Sequence, residues 1–412
     1  MIHLRENERI EGINAPAVEF DNLSLVAWNK PLDGGPWGYY ASFRIGAEWI
    51  DENNAIVVTT KRGMEGIDFL SMFMTCFSSN LEIESFSKIY TIETDKPAID
   101  APSLRGVVSP LIVLHFLGII SRIKTLKKGY VHRCENLKKV KGHIMVLKNE
   151  RTNIVMKRYD RIYCEYDDYS SNIPENRILK KALLFSQRLI MGIGESHPSF
   201  QIIKHRLAKC LTMFQNVSDE VDYRDIRLIK ENKIYKDYAE AIRLAKLVLS
   251  HFDYSINKVN NENNKVVPFV IDMSLLYEHY VYGLLHEAYN TRISYQFKGK
   301  TGYPDFLYRS NGFKAILDTK YIPKYDHTPL DTHVVRQLSG YSRDIPILRH
   351  LGYNDITEES PIPSVPCIII YPIEAKVSGN PFLGKSLINL CSNKVKRLSR
   401  FYKISIPLPL IN

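Results

Sequence analysis

The chain has 412 residues, enough for two or three domains with separate cores, and its 45% hydrophobic and 24% charged content is that of an ordinary soluble globular protein. Its net charge of +10 favours a polyanionic partner, and from Ser255 onward 19 Lys and Arg stand against 13 Asp and Glu, so the C-terminal part carries some of the excess. Six scattered cysteines without CxxC or paired spacing speak against a zinc site or a disulfide framework and for a reducing cytoplasm.

The opening residues MIHLRENERIEG lack the apolar core of a signal peptide. Residues 14–20, 37–45 and 55–60 alternate like strands, with Asp33-Gly34-Gly35-Pro36 as a turn, which predicts a small mostly-β module. The uncharged run 106–121 is too short to span a bilayer. It predicts a buried helix starting near Ser109-Pro110, with proline at an early helical position. Residues 122–161 are rich in Lys and Arg, and either a solvated face or a nucleic-acid surface accounts for them. Residues 176–192, 199–214 and 235–251 have helical periodicity. The polar stretch NKVNNENN, residues 257–264, marks a boundary. Three segments result: a mostly-β module over 1–125, a basic and helical region over 126–256, and a C-terminal domain over 257–412.

In the last segment the order of elements is specific. Residues 270–290 read as a helix, 292–297 as a strand, 302–321 as a hairpin and 331–344 as a second helix. The run VPCIIIY, residues 365–371, reads as a buried strand that Pro372 closes, and 394–403 as a basic surface ending the domain. The order is αβββαβ in a chain of α/β class, α+β overall.

Within the hairpin, residues 302–320 read GYPDFLYRSNGFKAILDTK. Asn311-Gly312 is the strongest short hairpin signal, because a type I′ turn needs positive φ at both central positions. With those two residues as the loop, Tyr308 faces Ala315, Phe306 faces Leu317, and Asp305 faces Asp318. Opposed residues share a face with Cβ atoms about 5 Å apart, and Lys320 joins that face because strand side chains alternate. Carboxylates so close repel unless one is protonated or a cation sits between them. Both a metal-and-water site and a pair of solvated surface acids fit the spacing. Apolar flanks on both faces indicate a central ladder, where charges need pairing or a metal.

The αβββαβ order with Pro304-Asp305, 12 intervening residues and Asp318-Thr319-Lys320 resembles the PD-(D/E)xK nucleases. Further motifs resemble one branch of them, the McrC family, nuclease subunits of McrBC-type restriction systems. Asp272-Met273 with Leu276-Tyr277-Glu278 is similar to its DM…LFE helix, and Arg336-Gln337-Leu338 with Tyr341 to its Q-L…Y helix. Upstream, Lys128-Gly129-Tyr130, Lys141-Gly142-His143, Cys164-Glu165-Tyr166-Asp167 and Asn176-Arg177-Ile178-Leu179-Lys180 resemble its RGL…RGR…C-Y-[DE]…NRILK series. Lys128 and Lys141 stand there in place of arginines. The resemblance spans roughly residues 100–345 plus the last strand, and residues 1–100 match no motif.

That resemblance implies a C-terminal PD-(D/E)xK restriction-endonuclease-like core behind a mixed β/helical N-terminal region, with Mg²⁺-dependent (Mn²⁺ as the alternative) hydrolysis of double-stranded DNA. Asp305, Asp318 and the Thr319 backbone carbonyl would hold the ion, which prefers oxygen ligands. Lys320 would orient the attacking water and stabilise developing negative charge. Glu278 is either a further ligand or an exposed helical glutamate. Gln337 and Tyr341, four residues apart and so on one helix face, contact the scissile backbone or fix Lys320, with core packing equally open for Tyr341. The implied partner is a hexameric AAA+ GTPase of the McrB type, engaged and stimulated by the N-terminal half. The chain has no GxxxxGK[ST] loop, so nucleotide hydrolysis falls to that partner. Competing readings are a non-catalytic activator of an NTPase ring and a stand-alone repair or RNA nuclease. All three place the protein in the cytoplasm without a membrane partner.

Overall fold

The computed structural model describes residues 1–13, 15, 17–30, 35–78, 88–93, 96–192, 200–221, 236–257, 265–374 and 379–410. The chain is a mixed α/β protein of two compact units. One unit joins Met1–Leu111 to Asn260–Asn412, and the other is Ile112–Val259.

One strand explains why the two ends of the chain share a unit. The first sheet runs in the order Ile2–Arg5, Ala55–Thr59, Arg44–Trp49, Phe269–Asp272, Tyr90–Ile92. Phe269–Asp272 thus lies between two strands of the N-terminal segment and pairs antiparallel with both. The division into 1–125, 126–256 and 257–412 meets a different arrangement here, in which the first and last segments complete one sheet. Gly46 permits this closeness. Its φ is 148°, and a Cβ there would sit 2.0 Å from the Phe269 carbonyl oxygen, so no larger residue fits.

Other N-terminal expectations change in detail. Ala55–Thr59 is the strand expected, but Val18–Phe20 is a 3₁₀ turn. Asn14 and Pro16 fall outside the described residues, as do Asp33 and Gly34 of the expected turn. Residues 37–45 contain two strands rather than one, because Gly38–Ala41 pairs with Val26–Asn29, a pairing that Ser42 N–H extends to the Leu25 carbonyl at 2.9 Å, whereas Arg44–Trp49 joins the first sheet. The mostly-β reading also lacked the helix Phe69–Ser78, which buries Met72, Phe73, Met74 and Cys76. Gly283 lets the helix Met273–Tyr289 approach it, since a Cβ would lie 2.3 Å from the Thr75 carbonyl oxygen.

Met273–Tyr289 begins three residues later than 270–290 implied. Phe269, Val270 and Ile271 are buried in the sheet, and Asp272 then caps the helix. Its carboxylate accepts from the N–H groups of Ser274 (3.0 Å) and Leu275 (3.1 Å), two of the four donors a helix start leaves unpaired.

The second sheet has the order Ile293–Tyr295, Phe306–Arg309, Lys314–Thr319, Cys367–Ile373, Phe401–Pro407. The first three strands are antiparallel and the last two join in parallel. With Met273–Tyr289 before them and Thr332–Tyr341 before Cys367–Ile373, the element order is αβββαβ. A helix, Ile345–His350, and the final strand are additions. That strand begins inside the stretch expected to be only a basic surface. Pro372 lies within its strand rather than ending it. The neighbouring ladder stops at Ile370, so a residue without an N–H is tolerated beyond that point.

Both faces of this sheet are covered. Leu307, Ile316, Ile369 and Tyr371 pack with Val334, Leu338, Tyr341 and Ile347 on one side. On the other, Tyr282 stacks on Phe306 with centroids 5.9 Å apart and Tyr289 meets Tyr308 edge-on at 5.1 Å. Each large side chain buried this way contributes about 1.5–3 kcal/mol before entropy is subtracted.

In the second unit, helices Pro174–Gly192, Phe200–Met213 and Lys236–Asn257 follow the periodicity, with Tyr235 outside the described residues. The segment before them is β rather than helical. Gly129–Leu137 pairs antiparallel with Ile162–Ser170, and His143–Ile144 adds a short edge. Cross-strand ion pairs occupy part of the basic run: Arg133 lies 3.3 Å and Lys141 3.2 Å from Asp168. The helix Arg105–Arg122 contains the uncharged run and starts at Arg105, ahead of Ser109, burying Leu111, Ile112, Phe116 and Ile120. No described helix is long and apolar enough to cross a membrane.

Candidate active site

The hairpin carries the register read from the sequence. Phe306 pairs with Leu317 and Tyr308 with Ala315, and Ser310 N–H donates to the Phe313 carbonyl at 2.9 Å across Asn311-Gly312. The turn type differs, however. Neither Asn311 nor Gly312 takes the positive φ of a type I′ turn. The Ser310 hydroxyl closes the loop instead, donating to the Phe313 carbonyl at 2.9 Å and accepting from its N–H at 3.2 Å.

One residue before its strand, Asp305 is anchored across the ladder. Its Oδ2 accepts from both the N–H and the hydroxyl of Thr319, each at 2.6 Å. Asp318 is 1% exposed and the Lys320 ammonium lies 2.6 Å from its Oδ2. Asp318 Oδ1 has no hydrogen-bond partner among the described residues. Glu278 reaches the same place from the helix Met273–Tyr289. It is buried rather than an exposed helical glutamate, and its Oε1 accepts from Gln296 Nε2 at 2.8 Å.

The electrostatics follow from this crowding. Burial, then the charges of Asp318 and Glu278, push the Asp305 carboxyl well above its usual range against the pull of the two Thr319 bonds. Burial also raises Asp318, with Lys320 and His333 opposing. Glu278 is raised by burial first and by Asp318 in lesser degree, while bonds from Gln296 and Tyr295 oppose. Burial disfavours the Lys320 ammonium, but Asp318 and Asp305 outweigh it and hold the lysine above its ordinary value. Three carboxyls and one ammonium share a space largely closed to water, with one carboxylate oxygen unpartnered. An all-oxygen donor set with surplus negative charge fits a hard divalent cation.

Gln337 and Tyr341 form a support on the helix Thr332–Tyr341. Gln337 Nε2 donates to the Tyr341 hydroxyl at 2.9 Å, and that hydroxyl donates to the Tyr303 carbonyl at 3.2 Å, two residues before Asp305. The Tyr341 ring belongs to the core at the same time. Its phenol is raised by burial and also feels Asp318, Asp305 and Lys320.

Sequence reasoning passed over two residues of the cluster and one neighbour. Thr319 serves through its amide and hydroxyl, where only its carbonyl was considered. Gln296 sits opposite Asp305, donates its N–H to the Asp305 carbonyl at 2.9 Å, and has φ of 43°. Continuing the pairs Tyr308–Ile293 and Phe306–Tyr295 by one step would have found it. Lys61 comes from the N-terminal segment. Its Nζ donates to the Tyr321 carbonyl at 2.7 Å, beside Lys320, and burial lowers it to about 8 against the pull of Glu6.

A family model described as McrBC 5-methylcytosine restriction system component matches residues 111–341. The chain belongs to that family. Two solved structures are similar to it, both from Thermococcus gammatolerans. One is a refined half-complex from a tetradecameric assembly of McrB AAA+ hexamers with bound McrC, at 13% identity, covering 100% of this chain and 95% of that one, with a TM-score of 0.38. The other is the McrBC complex, at 12% identity, 69% and 86% coverage and a TM-score of 0.31. No curated protein matches.

Proposed function

We propose that this McrBC-family chain is a Mg²⁺-dependent DNA endonuclease subunit built on a PD-(D/E)xK core. The observation that carries the reading is the convergence of Asp305, Asp318, Glu278 and Lys320 at the end of the central hairpin, with raised carboxyls and an unpartnered Asp318 Oδ1. Asp305, Asp318 and the Thr319 carbonyl would hold the ion, with Glu278 as a further ligand. When bound, Mg²⁺ supplies Lewis-acid stabilisation and makes a water nucleophile accessible near neutral pH.

The remaining work belongs to the chain. Lys320 stays charged at neutral pH, orients the attacking water and stabilises the negative charge that develops on phosphorus oxygens. Thr319 fixes the Asp305 carboxylate, and Gln296 fixes Glu278. The Gln337–Tyr341 pair holds the backbone that leads into Asp305. The sum is formation of a bond from a water oxygen to phosphorus and cleavage of one P–O ester bond of double-stranded DNA, the leaving sugar oxygen taking up a proton as a hydroxyl. A hexameric AAA+ GTPase of the McrB type is the proposed partner, its turnover stimulated by this chain, in the cytoplasm.

The test is a reconstituted cleavage assay read together with the partner's GTPase rate. Asp318→Ala and Lys320→Ala should leave DNA uncut while GTPase stimulation persists. Mg²⁺-dependent cutting by Asp318→Ala would overturn the site. GTPase stimulation by the unmodified chain without cutting under any divalent ion would make it an activator instead.

A further inference from the structure

The long strand pair of the second unit places a different set of side chains together. Antiparallel pairing sets Cys134 opposite Glu165 and His132 opposite Asp167. Strand alternation then puts all four on one face. On the opposite face the charges are mutually satisfied: Arg133 meets Glu135 at 3.2 Å and Asp168 at 3.3 Å, and Tyr166 donates to Glu135 at 2.8 Å.

We infer that His132, Cys134 and Glu165 form a binding site for a borderline transition-metal ion of the Zn²⁺ class, oriented by Asp167. One donor atom from each of the three ligands lies within 4.8 Å of the others. His132 Nε2 is 3.0 Å from Glu165 Oε1 and 3.7 Å from Cys134 Sγ. His132 Nδ1 is 3.2 Å from Asp167 Oδ1. A carboxylate on Nδ1 fixes the tautomer that leaves Nε2 with its lone pair free, the arrangement found behind metal-ligating histidines. That lone pair would then face the Glu165 carboxylate with nothing between them, a repulsive contact that a cation resolves. Imidazole, thiolate and carboxylate together select Zn²⁺ or Co²⁺ over Mg²⁺, and three protein ligands leave a fourth position open to water. The exposure of His132, with 56% of its side chain accessible, gives an ion direct entry.

The metal-free alternative for the same side chains is His132 hydrogen-bonded to both acids, with Cys134 a bystander. The two differ in whether sulfur is a ligand. The full-length chain, stripped of metal, is titrated with Co²⁺ and followed by absorption, then back-titrated with Zn²⁺. The expected result is a thiolate-to-cobalt charge-transfer band with intense tetrahedral d–d bands that corresponds to one Co²⁺ per Cys134 site, distinct from any Co²⁺ held by the carboxylate cluster, and that Zn²⁺ abolishes. Cys134→Ser should abolish the charge-transfer band. Asp167→Asn should keep the band but weaken binding roughly 10–100-fold. Asp318→Ala should leave the charge-transfer band unchanged, which separates this site from the carboxylate cluster. The inference is overturned if the band is absent, if it persists in Cys134→Ser, or if it needs millimolar Co²⁺. These side chains are on the surface, and unchanged circular dichroism of each variant checks that folding is intact.

Discussion

Asp305→Asn should stabilise the metal-free protein near neutral pH while abolishing cleavage. The asparagine keeps an oxygen where Asp305 Oδ2 accepts from Thr319, and it removes one of three crowded negative charges. For residues paired across a ladder about 5 Å apart, a like-charge contact costs ~3 kcal/mol at an effective dielectric of ~20. Weaker Thr319 bonds to a neutral acceptor give back about 1 kcal/mol, and lost attraction to Lys320 takes a further part. The net gain should be about 1–2 kcal/mol, a rise in Tm of about 2–6 °C. The pH dependence gives a second handle. Asp305, Asp318 and Glu278 are all raised, so their contribution favours folding while they are protonated and is lost as pH climbs past the ordinary carboxyl value of about 4. The variant's advantage should therefore vanish near pH 4 and grow toward neutrality. Differential scanning fluorimetry across pH, with and without Mg²⁺, reads all of this. Mg²⁺ should raise the Tm of the unmodified chain more than that of Asp305→Asn. If the variant is less stable at pH 8 without metal, and Mg²⁺ protects both proteins equally, the reasoning about a repelling, cation-seeking cluster is refuted.

Other outcomes are expected. Gly46→Ala should cost more than 3 kcal/mol, roughly the upper range for point substitutions, because its Cβ would meet the Phe269 carbonyl at 2.0 Å; chemical denaturation measures it, and a neutral result would contradict the strand insertion. Gln296→Ala should lower cleavage by about tenfold, an interaction near 1.4 kcal/mol, with little change in Tm, since it frees Glu278 without opening the core; unchanged kcat and KM would remove Glu278 from the site. Gln337→Ala should lower kcat with DNA affinity retained, as the Tyr341 hydroxyl loses one of its partners, and a rise in Kd alone would place Gln337 in DNA binding instead.

Local rules carried the hairpin because its information is local. Two loop residues set the register, and the register places Asp305, Asp318 and Lys320. Even there, positive φ at Asn311-Gly312 was replaced by the Ser310 hydroxyl, a side-chain bond that propensity rules do not weigh. What remained hidden depends on distant pairing. Phe269–Asp272 reads as the start of a helix because its apolar residues continue into Met273–Tyr289, and only its partners at residues 44–47 and 90–92 make it a strand. Cys134 has no second cysteine at metal-ligand spacing, yet its neighbour across the ladder is Glu165. Lys61 reaches the Tyr321 carbonyl, next to Lys320 in the chain, and Gln296 reaches Glu278, through contacts that no short window contains.

The inserted strand also sets an order of events in time. Arg44 and Asp272 are neighbours 228 positions apart, and the chain between them includes the whole second unit. On a ribosome adding about 5–20 residues per second, the first sheet must wait tens of seconds for the strand Phe269–Asp272, with two edges unpaired meanwhile. High contact order of this kind slows folding and exposes strand edges to wrong partners. The second unit can fold during that wait and shorten the loop to be closed. Synthesis in this order thus delays the carboxylate cluster until the strands on both sides of the second unit have been made.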